Sequence, residues 1–483
     1  MSQKILELKG NDWTKGKSNS PYLPMGGLLQ TLKGVNPFEL PGTALPGLTP
    51  SEITTGTVPK IFNSWTDGTT AYVYVHTPTK LYRVLKDSPY TVTDVTSEIV
   101  THTDIIGATI WKGKYIYANI KGTPDLRSNS LPVAAGSDTV ILAGFQNIID
   151  YMAMCVGADS NLYIGDDFRV GIITSSTGTT GNSNFFALED GFHVRDLIND
   201  GRYLVILSDN NDKSLSKLKV GNYRCKVQFW DMIKSTADIS FDVDDSYLIA
   251  GKTIDNSVYF FGYNGLYVCN SATQPSLIRD FGTNTISVAK PYSPYHLTKS
   301  RGSLYWVYGG TDTAYQDRVF AYGNPISGQR KIFYDPFLTG YTSIIKGIAV
   351  IGEQFWVGLT NLKTLVFNIG STRGQADIRP LNLVMDKPHR YDYTKITLTS
   401  PLTSGQSVQL LASSYSLATT YSVETKSYSA TNPKQTLLFR PVKSGTHRDK
   451  FEDLQLYITA SGGANIQRVS VYATPLDDTS EDI

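Results

Sequence analysis

Between Ile61 and Ser371 the chain repeats one hydropathic figure: a run of alternating aromatic and branched residues, a polar turn, and a second apolar run. The copies are AYVYV (Ala71 to Val75) before KLYRV, KYIYANI (Lys114 to Ile120), YMAMCV (Tyr151 to Val156) before NLYIG, and RYLVIL (Arg202 to Leu207). VYFFG (Val258 to Gly262) before GLYVC, LYWVYG (Leu304 to Gly309) before RVFAYG, and FWVGL (Phe355 to Leu359) before KTLVFNI complete the series. Period-2 alternation dominates and helical periodicity is nearly absent, which predicts strands. WTDGTT, NDGR, YNGL and SRGS separate them with small or self-capping side chains suited to tight turns. Starts at residues 71, 114, 151, 202, 258, 304 and 355 leave room in each unit for four short strands, the repeat of a β-propeller blade. A lone four-stranded sheet buries one face poorly, whereas radial packing buries both. The pattern therefore predicts an all-β chain with a degenerate β-propeller of about seven blades over residues 56–375.

The flanks read differently. From Gly10 to Lys60 the chain is rich in Gly, Pro, Ser and Thr, as in SNSPYLPMGG (Ser18 to Gly27) and GVNPFELPGTALPGLTP (Gly34 to Pro50). Pro removes backbone donors and fixes φ, so residues 1–55 are expected to form an extended arm with little regular structure. Its apolar groups are too many for a solvated linker. The arm should lie on protein: it straps across its own propeller, supplies the strand that closes the ring, or reaches a neighbouring subunit. Its candidate interaction residues are Trp13, Tyr22, Leu23, Met25, Leu28, Phe38 and Leu40. Beyond the turn-rich, aperiodic STRGQADIRPLN (Ser371 to Asn382), six longer alternating runs between Tyr393 and Pro475 predict a β-sandwich over residues 380–476. The acidic tail, residues 477–483, is expected to fray.

Composition narrows the functional classes. Among 483 residues, 30 are Tyr and only 18% are charged, which favours sheets faced with neutral Ser, Thr, Asn and Tyr. A net charge of +1 demands no nucleic-acid, membrane or acidic partner. Cys155, Cys225 and Cys269 form no CxxC pair, so buried thiols in a reducing compartment are expected rather than disulfides or zinc. No apolar run is long enough for a signal peptide or a membrane span.

Candidate chemistry is sparse. HExxH, GxSxG, the P-loop and the dinucleotide fingerprint are all missing, and six scattered histidines show no metal-ligand spacing. Asp104, Asp150, Asp196 and Asp242 are evenly spaced, as propeller hydrolase carboxylates from successive blades would be. They stand at different offsets from their strands, so they read as turn residues. FDVDDS (Phe241 to Ser246) and GDD (Gly165 to Asp167) offer clustered oxygens without a Gly-turned calcium loop, and read as solvated loops. Tyr292, Tyr295, Tyr305, Trp306 and Tyr308 form an aromatic group that could stack on sugars, although alternation places most of them in the core. Arg390, Lys395, Arg440, Lys443, Arg448 and Lys450 are balanced by Asp449, Glu452 and Asp453, as on a mixed solvated face. Catalytic, cofactor and metal residues are not assigned.

The anchored arm GVNPFELPGTALPGLTP, the blade ending RCKVQFWD (Arg224 to Asp231), and the sandwich segments HRYDYTKITLTSP (His389 to Pro401) and LQLYIT carry a resemblance. In layout and texture the chain resembles the tail hub or nozzle proteins of tailed bacteriophages and the related packaged-DNA-stabilising proteins. The resemblance implies a non-enzymatic virion structural protein, made in the host cytoplasm. Its copies would form a ring around the genome channel, touching other tail or head proteins and, non-specifically, DNA. The alternatives are a receptor- or glycan-binding propeller and a propeller glycoside hydrolase.

Overall fold

The computed structural model describes residues 2–15, 29–39, 44, 47–100, 105–119, 124–145, 151–179, 181–211, 224–281, 290–326, 329–368, 373–380, 382–414, 419–440 and 450–476. The chain divides into two compact units. The ring unit is Ser51–Gln316 with Tyr341–Phe367; the terminal unit is Met1–Pro50 with Asp317–Gly340 and Asn368–Ile483.

The ring unit is a β-propeller, and its turns follow from their residue types. Asp67 Oδ1 accepts the main-chain N–H groups of Thr69 at 2.9 Å and Thr70 at 2.7 Å. Asp200 does the same for Arg202 at 2.9 Å and Tyr203 at 2.5 Å. Such self-capped turns close antiparallel hairpins. Six four-stranded sheets result, whose first strands are Ile61–Thr66, Ile105–Trp111, Met154–Val156, His193–Asn199, Leu248–Ile254 and, at the seventh position, Ile345–Ile351. The sixth position is taken by the hairpin Leu297–Ser300 with Ser303–Val307. All seven first strands touch in this order, and the last touches the first, so they form the inner edge of a closed ring.

The repeated apolar runs are mostly second strands. These begin at Ala71, Lys114, Leu162, Leu204, Ser257, Ser303 and Gln354, 42 to 53 residues apart. YMAMCV is out of phase: its last three residues are the first strand of the third sheet, and NLYIG holds the second. Each buried layer lies between neighbouring sheets. Tyr163 and Phe186 of the third meet Trp230 of the fourth, with ring centroids 5.7 and 4.6 Å apart.

The ring is closed by the strand Ser51–Thr54, which pairs antiparallel with Lys363–Phe367, Ile53 opposite Thr364. Ile53 is buried against Val73, Val84, Trp356 and Val366. Ile53→Ala is expected to destabilise the ring unit by about 2–5 kcal/mol in urea titrations, as a core truncation does. An unchanged midpoint would mean that the closure adds nothing to stability.

In the terminal unit all six C-terminal runs are strands. Gln3–Lys9, Ile466–Pro475, the C-terminal part of Leu383–Leu398 and Thr436–Phe439 form one sheet of the β-sandwich. Thr419–Ser427, Ser407–Ser414, Lys450–Ser461, Ala376–Pro380 and Leu29–Lys33 form the other. Arg318–Gly323 and Ile332–Leu338 extend it beside Leu29–Lys33. Alternate residues are buried, as in Val408, Leu410 and Ala412, or Val469, Val471 and Ala473.

Two stretches differ from the expectation of irregular chain. Residues 10–60 contain a 3-10 turn, Gly10–Lys15, and the strands Leu29–Lys33 and Ser51–Thr54, while Ser371–Asn382 contains Ala376–Pro380. Open sheet edges offer these pieces main-chain partners, which short alternation such as LQTLK suffices to fill. Trp13 is fully buried in its own chain and its indole N–H donates to Gln467 O at 3.3 Å. Phe38 is half-buried, edge-on to Tyr334 at 5.4 Å. Tyr22, Leu23, Met25, Leu28, Leu40 and the acidic tail lie outside the described residues.

Candidate functional site

Strand polarity places one set of side chains at one end of the ring. Tyr247 precedes the first strand of the fifth sheet, Tyr263 turns between its second and third, and Tyr292 and Tyr308 flank the hairpin at the sixth position. First strands begin, and second strands end, at this leading end. Tyr247 and Tyr263 lie 5.4 Å apart, Tyr292 and Tyr308 5.5 Å, and Tyr308 and Tyr315 5.3 Å. Tyr292 and Tyr263 are 45% and 43% exposed, enough to offer a face to a ligand. The Tyr308-Gly309-Gly310 sequence explains part of the geometry. A Cβ on Gly310 would meet the Tyr308 ring at 2.3 Å, and one on Gly309 would meet the His296 ring at 2.1 Å.

Lys290 completes the cluster. Its Nζ sits 3.9 Å from the Tyr263 ring centroid and 5.6 Å from that of Tyr247, and donates to Tyr263 O at 2.9 Å. Among the described residues no carboxylate lies within ion-pair distance of it. Burial pulls its ammonium down to about 8, against the weaker upward pull of Asp245.

Beneath this surface the carboxylates are engaged internally. Asp245 accepts from Ser246 N at 2.6 Å, Asn264 N at 3.0 Å and the Tyr267 hydroxyl at 2.9 Å, while burial raises its carboxyl. Asp209 receives Arg195 Nε at 2.9 Å and Nη2 at 2.6 Å, with Leu248 N at 2.9 Å. Asp196 accepts from Gly251 N at 3.0 Å, and burial raises its carboxyl although Lys252 pulls it down. His296 is held neutral. Burial, then Lys346 and Lys60, lower it to about 3, and its Nδ1 accepts from Tyr292 N at 3.1 Å.

That last shift has a measurable sign. An unfolded His296 takes up a proton near pH 6.5 and the folded one only near pH 3, so stability falls as pH drops through this window. Between pH 7 and pH 5 the loss should be about 2 kcal/mol. His296→Gln should flatten that part of the urea-midpoint profile, and an unchanged slope in the variant would assign it to other groups.

Arg195 is matched by Asp209, and the first strands also carry Lys252, Lys299 and Lys346 against the single acid Asp196, so the inner edge of the ring is basic in a chain of net charge +1. Lys299 donates to Thr253 O at 2.8 Å. Burial and then Lys252 lower its ammonium.

The sequence candidates are sorted by this geometry. Tyr292 and Tyr308 belong to the exposed cluster, Tyr305 and Trp306 are core, and the Tyr295 hydroxyl turns inward to Ile106 O at 2.5 Å. Asp196 and Asp242 stand on the first and fourth strands of one sheet, Asp196 buried and Asp242 exposed; Asp104 and Asp150 lie outside the described residues. The GDD and FDVDDS segments are not simply solvated. Asp166 and Asp245 are buried, and Asp167 meets His193 Nδ1 at 2.5 Å. Main-chain N–H groups of Ser246 and Asn264 reward the inward carboxylate of Asp245. Among the described residues no group of three His, Cys, Asp or Glu side chains is placed to hold a metal. Cys225 and Cys269 are buried, Cys155 is half-buried, and all three thiols are free. Burial pushes Cys155 and Cys269 up to about 12. Arg390 pairs with Asp392 at 3.1 Å, whereas Lys443, Arg448 and Asp449 lie outside the described residues. Tyr247, Tyr263 and Lys290 escaped the sequence reading because the fold alone gathers them.

Fold and cluster define a β-propeller protein with an aromatic, cationic surface at one end of the ring. No protein-family model matches the sequence, and no curated protein does. Among solved structures the chain is similar to virginiamycin B lyase from Staphylococcus aureus, with a TM-score of 0.47, 11% identity, and coverage of 67% of this chain and 100% of that one. It is also similar to BamB from Moraxella catarrhalis, with a TM-score of 0.40, 10% identity, and coverage of 76% and 100%. No helix among the described residues is long and apolar enough to cross a membrane.

Proposed function

We propose that this chain is a virion structural protein of a tailed bacteriophage, of the tail hub or nozzle kind, and that it acts by holding partners rather than by chemistry. The observation that carries the reading is the path of the chain. It passes between the ring unit and the terminal unit four times, after Pro50, Gln316, Gly340 and Phe367. A component that bears load in a particle gains from several covalent connections in parallel, where a single linker would be the weak point. The internal engagement of Asp196, Asp209 and Asp245 agrees with a non-enzymatic role, since a hydrolytic well needs carboxylates directed at a substrate. In this reading the copies form a ring with other tail or head proteins, and contact with the genome is by charge alone.

The test is the mass of the full chain in solution by light scattering, with electron microscopy of the same sample. The reading expects closed rings of copies. A chain that stays at 53.2 kDa across concentration and shows no ring overturns it as a self-assembling component.

A further inference from the structure

We infer that the tyrosine cluster at the leading end of the ring, with Lys290, is a binding site for saccharides that carry a carboxylate. This goes beyond the structural role proposed above and does not depend on it.

The cluster has two parts with different chemistry. Tyr263 and Tyr292 present partly exposed rings, backed by Tyr247 and Tyr308 at 5.4 and 5.5 Å. Sugar C–H faces stack on such rings, and tyrosine hydroxyls at the rim hydrogen-bond to sugar hydroxyls; an aromatic body with a polar tip serves both purposes. Tyr292 packs with Tyr308 and follows Lys290 by two residues, and Lys290 Nζ lies over the Tyr263 and Tyr247 rings, so the chain itself joins the two tyrosine pairs.

Lys290 selects among sugars. An ammonium has three donors, and one is used on Tyr263 O at 2.9 Å. The aromatic faces hold the charge in place without neutralising it, as cation–π contacts do. A partly desolvated cation with no carboxylate among the described residues in ion-pair distance is matched by an anion from outside. Its neighbour Asp245 is engaged with Tyr267 and two main-chain N–H groups. A sugar carboxylate set on Nζ, with its ring against Tyr263 or Tyr292, uses every free feature of the surface. A neutral sugar would leave the cation unmatched.

The experiment is isothermal titration of the full chain with oligomers of galacturonic, glucuronic and sialic acid, with neutral galactose oligomers of equal length as control. At least one acidic series is expected to saturate, and to bind tenfold or more tightly than the neutral one. Lys290→Gln should remove that preference, and Tyr263→Ala with Tyr292→Ala should remove binding of both. Circular dichroism confirms that each variant remains folded. Binding of the acidic series should also fall between pH 7 and pH 9 as the ammonium loses its proton. No saturation by any acidic series, or equal affinity in the Lys290→Gln variant, overturns the inference. Light scattering of the same samples keeps the two readings apart, because ring assembly without sugar binding, or the reverse, sinks one and leaves the other.

Discussion

Trp13→Ala is expected to destabilise the terminal unit by about 3–5 kcal/mol, the range for removing a buried Trp. The residue lies in the 3-10 turn Gly10–Lys15, whose start is fixed by Asp12 Oδ2 accepting Lys9 N at 3.0 Å. The strand before it, Gln3–Lys9, lies antiparallel to Ile466–Pro475, with Leu8 opposite Val469 and Lys9 opposite Arg468. Trp13 therefore follows directly from the pairing and plugs the sandwich beside Gln467, to which its indole N–H donates. Truncation leaves a large cavity and an unmet carbonyl. In hydrogen exchange, peptides covering 466–475 should lose protection by more than a hundredfold, since about 1.4 kcal/mol corresponds to a factor of ten. Peptides covering 257–262 in the ring unit should not change. Removal of Met1 to Leu48 should act in the same direction and further, because it also takes Leu29–Lys33 from the second sheet while leaving Ser51–Thr54 to close the ring. Any loss of assembly in that truncation must then be separated from loss of the sandwich. Unchanged protection in the Trp13→Ala variant would show that the N-terminal strand contributes little to the unit.

The same contrast explains what the sequence revealed. Ring strands were legible because the second strand of each sheet is buried on both faces: runs such as AYVYV and VYFFG are nearly continuous hydrophobic stretches, set off by Asp, Asn and Gly turns. The third repeat slipped in phase because its first strand, Met154–Val156, has only three residues and merges with the apolar residues before it. The N-terminal strands were hidden for another reason. Gln3–Lys9 carries Lys4, Glu7 and Lys9 at a sheet edge, where charge is compatible with pairing, and its partner lies more than four hundred residues away. Tyr292 and Tyr308 showed as an aromatic cluster. Tyr247, Tyr263 and Lys290 had no such signal, because each is an ordinary turn residue until strand polarity brings them to one end.

Asp209→Ala should cost the ring unit about 3–5 kcal/mol, because it leaves Arg195 buried without its counter-charge. The carboxylate is fully buried and accepts from both nitrogens of the guanidinium fork, from Asn211 N at 3.1 Å and from Leu248 N at 2.9 Å. It thus ties the second strand of the fourth sheet to the start of the fifth, next to Tyr247. The pair as a whole is a weaker source of stability than either deletion implies, since both charges were removed from water to form it. Arg195→Met combined with Asp209→Leu should therefore be less destabilising than Asp209→Ala alone, and the double-mutant cycle built from these substitutions should show strong non-additivity. Urea unfolding measures all three, and additive effects would deny the coupling. Asp209→Asn separates charge from geometry, because its single amide oxygen can still accept from Leu248 N while the ion pair is gone and the contact with Asn211 N is lost. If the tie to Leu248 positions Tyr247, this variant should keep acidic-sugar binding that Asp209→Ala loses, although both are destabilised.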